Sequence, residues 1–298
     1  MRAKILCVGV VLSGLNLSCA GKNTPDLDGL REDVDAMIAS GGAEVSVYYG
    51  HLGRPDSLMI NVDARMHAAS TMKVPVMIQL FRDEEAGVLS LDDSIPVTRT
   101  FHSIVDGSPF ELDDGSDSEL ALYERVGGLA TYRELNELMI TVSSNLATNI
   151  LIDRLDAKRV TTTARSLGAD SIEVLRGVED IPAFEAGLSN STTARDLGVL
   201  LVAMHKRRAA GAASTTEMLG VLTRQRFNEM IPAGLPPGTV VAHKTGNITG
   251  ISHDAAIVLP DEPGAYVLVI LTRGFDNPSD ASATISAVAR RIHTHTLS

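Results

Sequence analysis

The order of two hydrophobic patterns along the chain constrains its fold most. Strand-like alternation or short apolar runs occur near both ends, at 43–49, 58–62, 239–243, 255–259 and 266–272. The residues between these two regions follow helical spacing instead. We therefore predict an α+β fold, in which both ends of the chain build one antiparallel sheet flanked by the terminal helices. An all-helical lobe at roughly 75–215 would be inserted into it, with a cleft between lobe and sheet.

Apolar residues at three- and four-residue spacing predict the individual helices. These cover residues 30–39, 70–85, 132–140, 146–155, 160–167, 192–205, 218–230 and 281–293. Residues 100–120 are rich in Gly, Ser and Asp, which favours a long loop over a site. Residues 182–190 show no period, and we predict an irregular segment there.

The N-terminal segment has the order of an export signal. Arg2 and Lys4 form a short basic start, an apolar stretch follows, and small residues end it. Residues 17–20 (Leu-Ser-Cys-Ala) resemble a bacterial lipoprotein cleavage box, with Cys19 as the lipidated residue. Plain secretion is the alternative.

This signal sets the expected organisation and location of the protein. We predict a signal peptide at 1–18, a tether at 19–29 and a single domain at 30–298. The protein would be exported, and either periplasmic or anchored to the membrane as a lipoprotein through Cys19.

Charge and cysteine usage exclude several classes of function. The formal net charge is −11, which disfavours nucleic acid and gives no general attraction to an anionic membrane surface. Cys7 and Cys19 are the only cysteines, so the body of the chain has no disulfide, thiol nucleophile or cysteine-ligated metal. The eight histidines show no zinc spacing, and no phosphate-loop or dinucleotide motif is present. We expect no metal, no cofactor and a monomer.

The first group of chemical interest is Ser70-Thr71-Met72-Lys73. Residues three apart lie on one face of a helix, so Ser70 and Lys73 would stand together. Ser70 alone is explained equally well as a helix N-cap. Lys73 is not, because the positive end of the helix dipole disfavours a cation. We predict that Lys73 is buried with a lowered pKa, so that its neutral amine acts as a base.

The second group, Ser143-Ser144-Asn145, lies between two predicted helices. A hydroxyl and an amide there can point into a cleft, where the hydroxyl relays a proton. The simpler alternative is a turn in which a serine caps the next helix.

The third group, Lys244-Thr245-Gly246, lies at the end of a predicted strand. Lys244 and Thr245 offer donors to a carboxylate, and Gly246 would let a ligand approach the backbone closely. The simpler alternative is a strand end with a solvated lysine.

In this order the three groups resemble the signature of class A β-lactamases and penicillin-binding proteins, which is Ser-x-x-Lys, Ser-Asp-Asn and Lys-Thr-Gly. The resemblance covers about residues 30–295 and includes Met139 and Ile140 before the second group and residues 149–151 (Asn-Ile-Leu) after it. It implies a β-lactamase/transpeptidase-like fold and a serine acyl hydrolase. Its substrate would be a β-lactam or a peptidoglycan peptide.

The resemblance implies a role for each residue of the first two groups. Ser70 would attack the carbonyl carbon and form an acyl-enzyme, and Lys73 would assist by moving its proton. Ser143 would pass a proton to the leaving nitrogen. Asn145 would bind the substrate side chain.

The third group would hold the substrate carboxylate through Lys244 and Thr245, beside Gly246. The N–H of Ser70 and an N–H near Asn247 or Ile248 would form an oxyanion hole.

Two positions depart from the class A pattern. Ser144 stands where that pattern has Asp, a residue that mainly fixes local structure in the family. Class A enzymes also activate the deacylating water with a Glu on a loop after the second group, and two candidates exist here. Glu179 has the family's distance from Ser143, whereas residues 185–189 (Glu-Ala-Gly-Leu-Ser) resemble Glu-x-x-Leu-Asn and would make Glu185 the base. We prefer Glu179, and a third alternative is that neither acts.

These alternatives lead to three predicted functions. Hydrolysis of β-lactams is the leading one. A D-Ala-D-Ala carboxypeptidase or esterase is the second, and a penicillin-binding sensor whose acyl-enzyme does not turn over is the third. A carboxylate poised over the ester would separate the first from the others.

Overall fold

The computed structural model describes residues 26–260 and 264–297. The predicted signal at 1–18 and Cys19 lie outside these residues, and so does most of the predicted tether at 19–29. No helix in the described ranges is long and apolar enough to cross a bilayer.

Long strands lie near both ends of the described chain, and most of the helices lie between them. The helices are α1 (Leu27–Gly41), α2 (Lys73–Glu85), α3 (Tyr132–Thr141), α4 (Asn145–Leu155), α5 (Ala157–Ser166), α6 (Ile181–Glu185), α7 (Ala194–His205), α8 (Ala212–Thr223) and α9 (Pro278–Thr296). The strands are β1 (Glu44–His51), β2 (Ser57–Ile60), β3 (Met66–His67), β4 (Ser94–Pro96), β5 (Thr100–His102), β6 (Pro109–Glu111), β7 (Leu129–Thr131), β8 (Ser191–Thr192), β9 (Val240–Ile248), β10 (Ile251–Leu259) and β11 (Tyr266–Arg273).

The main sheet joins strands from both ends of the chain, as the sequence predicts. Its order is β2-β1-β11-β10-β9, and each neighbouring pair is antiparallel. β1 pairs with β11 along its whole length, from Glu44 opposite Arg273 to His51 opposite Tyr266. This arrangement leaves β9 at one edge of the sheet.

Both faces of the central strands are buried. Successive residues of a strand point to opposite faces of the sheet. In β11, Leu268 and Ile270 pack with Val288 of α9 in one core, whereas Val267 and Val269 belong to the core of the helical lobe. A strand buried on both faces has a continuous apolar sequence, which is why β11 shows no alternation.

Helix α2 is the centre of the helical lobe. Its residues from 73 to 81 are all buried, so it is enclosed on every side rather than along one stripe. Its buried polar side chains are paired. Gln79 donates to Asp83 at 2.8 Å, and Thr163 of α5 donates to Gln79 at 2.5 Å. This enclosure fixes the position of Lys73 at the start of the helix.

The predicted helix at 70–85 starts differently in the structure. Ala69–Met72 form a 3-10 turn, and the α-helix begins only at Lys73. Ser70 is therefore not an N-cap, because its backbone already belongs to the helical turn that leads into α2.

The predicted loop at 100–120 contains a short hairpin. Strands β5 and β6 pair with Phe101 opposite Phe110. The segment at 182–190, predicted to be irregular, overlaps the short helix α6, whose N-terminus Asp180 caps. Elements of three to five residues are too short to show a hydrophobic period, so the sequence pattern does not predict them.

The helix predicted at 218–230 is displaced toward the N-terminus. Helix α8 covers Ala212–Thr223, and the chain then turns. The Gln225 side chain makes this turn, because it donates to the carbonyl oxygen of Ile140 at 2.8 Å and accepts from the N–H of Arg226 at 3.0 Å. The hydrogen bond from Gln225 to Ile140 thus accompanies the end of α8, although the helical spacing of apolar residues continues beyond Thr223.

Candidate active site

Ser70 lies at the junction of the sheet and the helical lobe. Its 3-10 turn is tied to neighbouring elements, since the N–H of Ala69 donates to His67 Nδ1 at 3.0 Å and the N–H of Ala68 donates to the carbonyl oxygen of Asn190 at 2.8 Å. Ala69 has a φ of +44°, which is strained for a residue with a side chain. Ser70 itself is half-buried and lines a cavity of about 430 Å³ together with Asn145 and Glu179.

Lys73 is fully buried, as predicted. Its Nζ donates to the carbonyl oxygen of Ser143 at 2.7 Å, to Ser143 Oγ at 3.1 Å and to Asn145 Oδ1 at 3.2 Å. Burial lowers the pKa of Lys73 to about 7, although the carboxylates of Asp117 and Glu179 act in the opposite direction. The predicted fall in pKa is confirmed, and the amine is partly neutral near pH 7.

The Lys73 amine is directed toward Ser143. Within residues 26–260 and 264–297, no hydrogen bond joins Lys73 Nζ to Ser70 Oγ. The three-residue spacing thus brings the two residues to one turn without pairing their side chains directly.

The Ser143 hydroxyl bridges two buried lysines. Its Oγ lies 3.1 Å from Lys73 Nζ and 3.1 Å from Lys244 Nζ. Ser143 has a φ of +58°, a left-handed conformation that serine rarely adopts. Strain of this kind clusters at functional sites, and here it holds the hydroxyl where a proton can pass to either amine.

Ser144 and Asn145 begin helix α4. Ser144 is the N-cap and accepts from the N–H of Ala147 at 3.2 Å, so the capping role weighed for this turn is present. Asn145 points its amide oxygen at Lys73 and also lines the Ser70 cavity. The same turn therefore both caps α4 through Ser144 and directs the Asn145 amide into the site.

Lys244 is fully buried, so a solvated lysine at a strand end is wrong for this position. Its Nζ donates to Ser143 Oγ at 3.1 Å and to the carbonyl oxygen of Thr245 at 3.0 Å. Burial, and then the neighbouring charge of Lys73, lower the pKa of Lys244. The group also lies inside β9, which continues to Ile248.

Gly246 makes a close approach to the Ser70 turn. An added Cβ would lie 3.0 Å from the backbone nitrogen atoms of both Ser70 and Thr71. The Ser70 turn therefore packs against this glycine, where a larger residue would not fit. The contact sets the Ser70 N–H beside β9, and Asn247 and Ile248 line the same cavity as Ser70.

The structure separates the two candidate bases. Glu179 lines the Ser70 cavity and has a φ of +63°. Its neighbour Val178 is fixed by Asn149, which accepts from the Val178 N–H at 2.7 Å and donates to the Val178 carbonyl oxygen at 2.9 Å. Glu185 is exposed in α6 and is not among the residues that line the cavity. The geometry therefore favours Glu179.

Asn190 closes the base of the loop that carries Glu179. It accepts from the N–H of Leu175 at 2.8 Å and donates to the carbonyl oxygen of Arg176 at 2.9 Å. Because its own carbonyl accepts from Ala68, Asn190 also links this loop to the Ser70 turn. Asn190 could not be singled out from the sequence, since a lone asparagine after a turn has no distinguishing pattern.

Asp117 was also missed. It lies in the segment predicted as a loop, and its Oδ2 accepts from the N–H groups of Asn145 at 2.9 Å and Leu146 at 2.8 Å. One aspartate in a segment rich in Asp and Gly gives no signal of such a contact.

Two further features lie near the site without lining the Ser70 cavity. Phe101, His102 and Phe110 of the β5–β6 hairpin line an adjoining cavity of about 620 Å³ beside α4 and α5, which shares Arg176 and Asp180 with the Ser70 cavity. Arg273, at the end of β11, is exposed and paired with Glu44. In the described part of the chain, no group of three His, Cys, Asp or Glu side chains is arranged to hold a metal ion.

The fold defines the class of this protein: an antiparallel sheet and a helical lobe in the β-lactamase/transpeptidase arrangement, as predicted. The model of the beta-lactamase enzyme family matches residues 29–296. The chain therefore belongs to the beta-lactamase enzyme family.

Individual relatives agree with this assignment. A beta-lactamase from Bacillus amyloliquefaciens is 26% identical over 258 residues, which cover 84% of this chain and 78% of that protein. The solved beta-lactamase from Sphaerobacter thermophilus is 26% identical with a TM-score of 0.78, and the match covers 91% of this chain and 98% of that one. A variant of PBP-A, solved as an acyl-enzyme complex with penicillin G, is 25% identical with a TM-score of 0.76, over 90% of this chain and 96% of that one.

Proposed function

We propose that this protein hydrolyses β-lactams through an acyl-enzyme on Ser70. The observation that carries the proposal is the buried Lys73 amine, whose pKa of about 7 makes it able to accept and return a proton at neutral pH. It lies one turn from Ser70 and is hydrogen-bonded to Ser143, which has access to both lysines. Family membership supports the substrate class.

Acylation follows from these contacts. Ser70 Oγ forms a bond to the lactam carbonyl carbon, and neutral Lys73 takes its proton. The ring C–N bond then breaks, Ser143 gives its hydroxyl proton to the leaving nitrogen, and Lys73 returns a proton to Ser143. Catalytic hydrogen bonds often tighten only when substrate is present, so the absence of a Ser70–Lys73 bond does not oppose this order.

Lys244 and Thr245 are proposed to hold the substrate carboxylate. Burial disfavours a charge on Lys244, and an incoming carboxylate would favour it, because an opposite charge stabilises the protonated amine. Binding of an anionic substrate would thus fix the proton on Lys244. Asn145, at the cavity wall, is proposed to accept and donate to the amide of the substrate side chain.

Deacylation is proposed to use Glu179. Glu179 lines the Ser70 cavity, and its carboxylate can take a proton from a water that attacks the ester carbonyl. The bond between the acyl carbon and Ser70 Oγ then breaks, and Ser70 Oγ regains a proton from Glu179, which restores the carboxylate. Glu185 has no support from the cavity geometry.

A second function has one specific observation in its favour. Glu179 is exposed and accepts no hydrogen bond from the described residues, so its carboxylate is not fixed over Ser70. A variant of PBP-A, which resembles this chain, was solved as a penicillin G acyl-enzyme. If water attacks the penicilloyl ester slowly, the protein would behave as a penicillin binder. It would be a D-Ala-D-Ala carboxypeptidase if water attacks the peptidyl ester faster than the penicilloyl one.

We also propose that the protein is exported, with a signal at 1–18 and a tether at 19–29 that leads to one catalytic domain at 30–298, and that it acts as a monomer. Lipidation of Cys19 would hold it at a periplasmic membrane surface. Metabolic labelling with a fatty-acid analogue tests this: label on the wild type and none on Cys19→Ala is expected. Equal labelling of both would contradict lipidation at Cys19.

The activity is tested by turnover of penicillin G and of a D-Ala-D-Ala peptide by the same preparation. Repeated turnover of the β-lactam with little peptide cleavage is the expected outcome. Faster cleavage of the peptide, with one equivalent of penicillin bound, would favour the second function instead.

A further inference from the structure

We propose that Asp117 is a positioning residue, which supplies from a separate loop the carboxylate that the Ser-Asp-Asn pattern carries in its middle residue. In this chain Ser144 occupies that middle position. The part of the proposal that concerns acylation rests on the proposed function.

The contacts of Asp117 are those of a carboxylate that organises the second group. Its Oδ2 accepts from the N–H of Asn145 at 2.9 Å, from the N–H of Leu146 at 2.8 Å and from Ser144 Oγ at 3.3 Å. These N–H groups begin α4 and have no partner within the helix. Hydrogen bonds from N–H groups to a carboxylate are the stronger kind, so Asp117 fixes where Asn145 stands.

Asp117 is itself held in place. Tyr123 donates its hydroxyl to Asp117 Oδ2 at 3.1 Å, and the N–H of Glu119 donates to Oδ1 at 3.2 Å. Both carboxylate oxygens are therefore engaged. A side chain fixed at both oxygens can define the geometry of the turn beside it.

The charge of Asp117 also acts on Lys73. Two carboxylates act on this amine, Asp117 on one loop and Glu179 on another, and both keep the pKa of Lys73 from falling further. The charge of Lys73 in turn lowers the pKa of Lys244 on β9. Asp117 therefore acts on both the position of Asn145 and the basicity of Lys73.

The arrangement explains why residue 144 is a serine. Ser144 is fully buried, and its Oγ lies 3.3 Å from Asp117 Oδ2. A second carboxylate at that distance would be repelled by the first. The site therefore has room for one carboxylate. The class A pattern places it in the middle residue of the Ser-Asp-Asn group, and this chain places it at Asp117 with Ser144 in the middle position.

The test uses three variants of the full chain and one control. The variants are Asp117→Asn, Ser144→Asp and the double variant, and the control is Asp114→Asn, an exposed carboxylate in the same segment. The first readout is the titration of Lys73, followed by ¹³C NMR of protein with labelled lysine. The chain has only six lysines, so the signals can be assigned, and the measurement needs no substrate. The second is the acylation rate with penicillin G as a function of pH.

We expect Asp117→Asn to lower the pKa of Lys73 and the control to leave it unchanged. Acylation should fall by about 100-fold, because small misplacements of a catalytic group have effects of that size. The acidic limb of its pH profile should also move to lower pH, which a purely structural role would not cause. Ser144→Asp alone should impair acylation, whereas the double variant should recover rate relative to Asp117→Asn.

Two results would overturn the proposal. The first is a pKa of Lys73 that is unchanged in Asp117→Asn. The second is a double variant that folds no better, or acylates no faster, than Asp117→Asn alone. Failure of the wild type to react with penicillin G contradicts the proposed function instead, and the titration then still decides the role of Asp117.

Discussion

The Nζ of Lys73 lies 2.7 Å from the carbonyl oxygen of Ser143 and 3.1 Å from its hydroxyl. Complete burial stabilises the neutral amine, and the carboxylates of Asp117 and Glu179 stabilise the protonated one. The balance leaves the pKa of Lys73 at about 7. A group that changes protonation near neutral pH, in contact with a hydroxyl, is suited to move protons in both directions.

The first prediction concerns pH. Lys73 must be neutral to take the Ser70 proton, so acylation should be slow below its pKa and should rise as pH increases through about 7. The second-order rate of acylation, measured by stopped flow between about pH 5 and 9, should show this acidic limb.

Lys73→Met serves as the companion to this measurement, with the exposed Lys206→Met as its control. Acylation in Lys73→Met should fall by about 10²- to 10⁴-fold, as is usual when a general base is removed. A Lys73→Met profile with the same rate and the same acidic limb as wild type would remove Lys73 from the mechanism.

The second prediction concerns Glu179. Glu179→Gln should leave acylation nearly unchanged and slow deacylation by about 10²-fold or more, because the water loses its base. Glu185→Gln is the matched control, since it removes a carboxylate a few residues away that does not line the cavity. Burst kinetics with penicillin G separate the two steps. If the burst and the steady-state rate of both variants equal those of the wild type, neither glutamate activates water.

The third prediction concerns the contact between Gly246 and the Ser70 turn. In Gly246→Ala the new methyl group would lie 3.0 Å from two backbone nitrogen atoms, and backbone must move to accept it. We expect a loss of about 1–3 kcal/mol in the free energy of unfolding and a larger fractional loss of acylation, because the oxyanion donor at Ser70 moves as well.

Gly220→Ala is the control for this change. Gly220 lies within α8, and an added Cβ there would have its nearest contact at 3.5 Å, with Arg224. Replacing a glycine inside a helix by alanine should stabilise the protein by about 0.5–1 kcal/mol. Urea unfolding of both variants gives the comparison, and a Gly246→Ala protein with wild-type stability and acylation would show that the turn does not depend on this contact.

The main sheet could be predicted from the sequence because its strands are long and buried. The run in β11 has no polar interruption from Tyr266 to Leu271, and a short continuous apolar run of this kind is typical of a strand buried on both faces. The three groups around Ser70, Ser143 and Lys244 could be predicted because their order is specific. Burial of Lys73 followed from the helix dipole and from the apolar residues beside it.

Other features depend on contacts between distant segments. Asp117 acts on Asn145 from a separate loop, and Gln225 ends α8 by bonding to Ile140. Neither contact leaves a periodic trace in the sequence. The contact between Gly246 and the Ser70 turn was not predicted for a related reason: a glycine indicates that something approaches closely, and the structure is needed to say what.

Time-resolved intact mass spectrometry of the protein mixed with penicillin G tests the central claim most directly. Opening of the lactam keeps the leaving nitrogen attached, so the wild type should gain the full mass of one penicillin and then lose it as the hydrolysed product is released. Ser70→Ala should gain nothing and hydrolyse nothing. Hydrolysis at the wild-type rate by Ser70→Ala, or a wild type that neither forms the adduct nor consumes penicillin, would contradict an acyl-enzyme on Ser70.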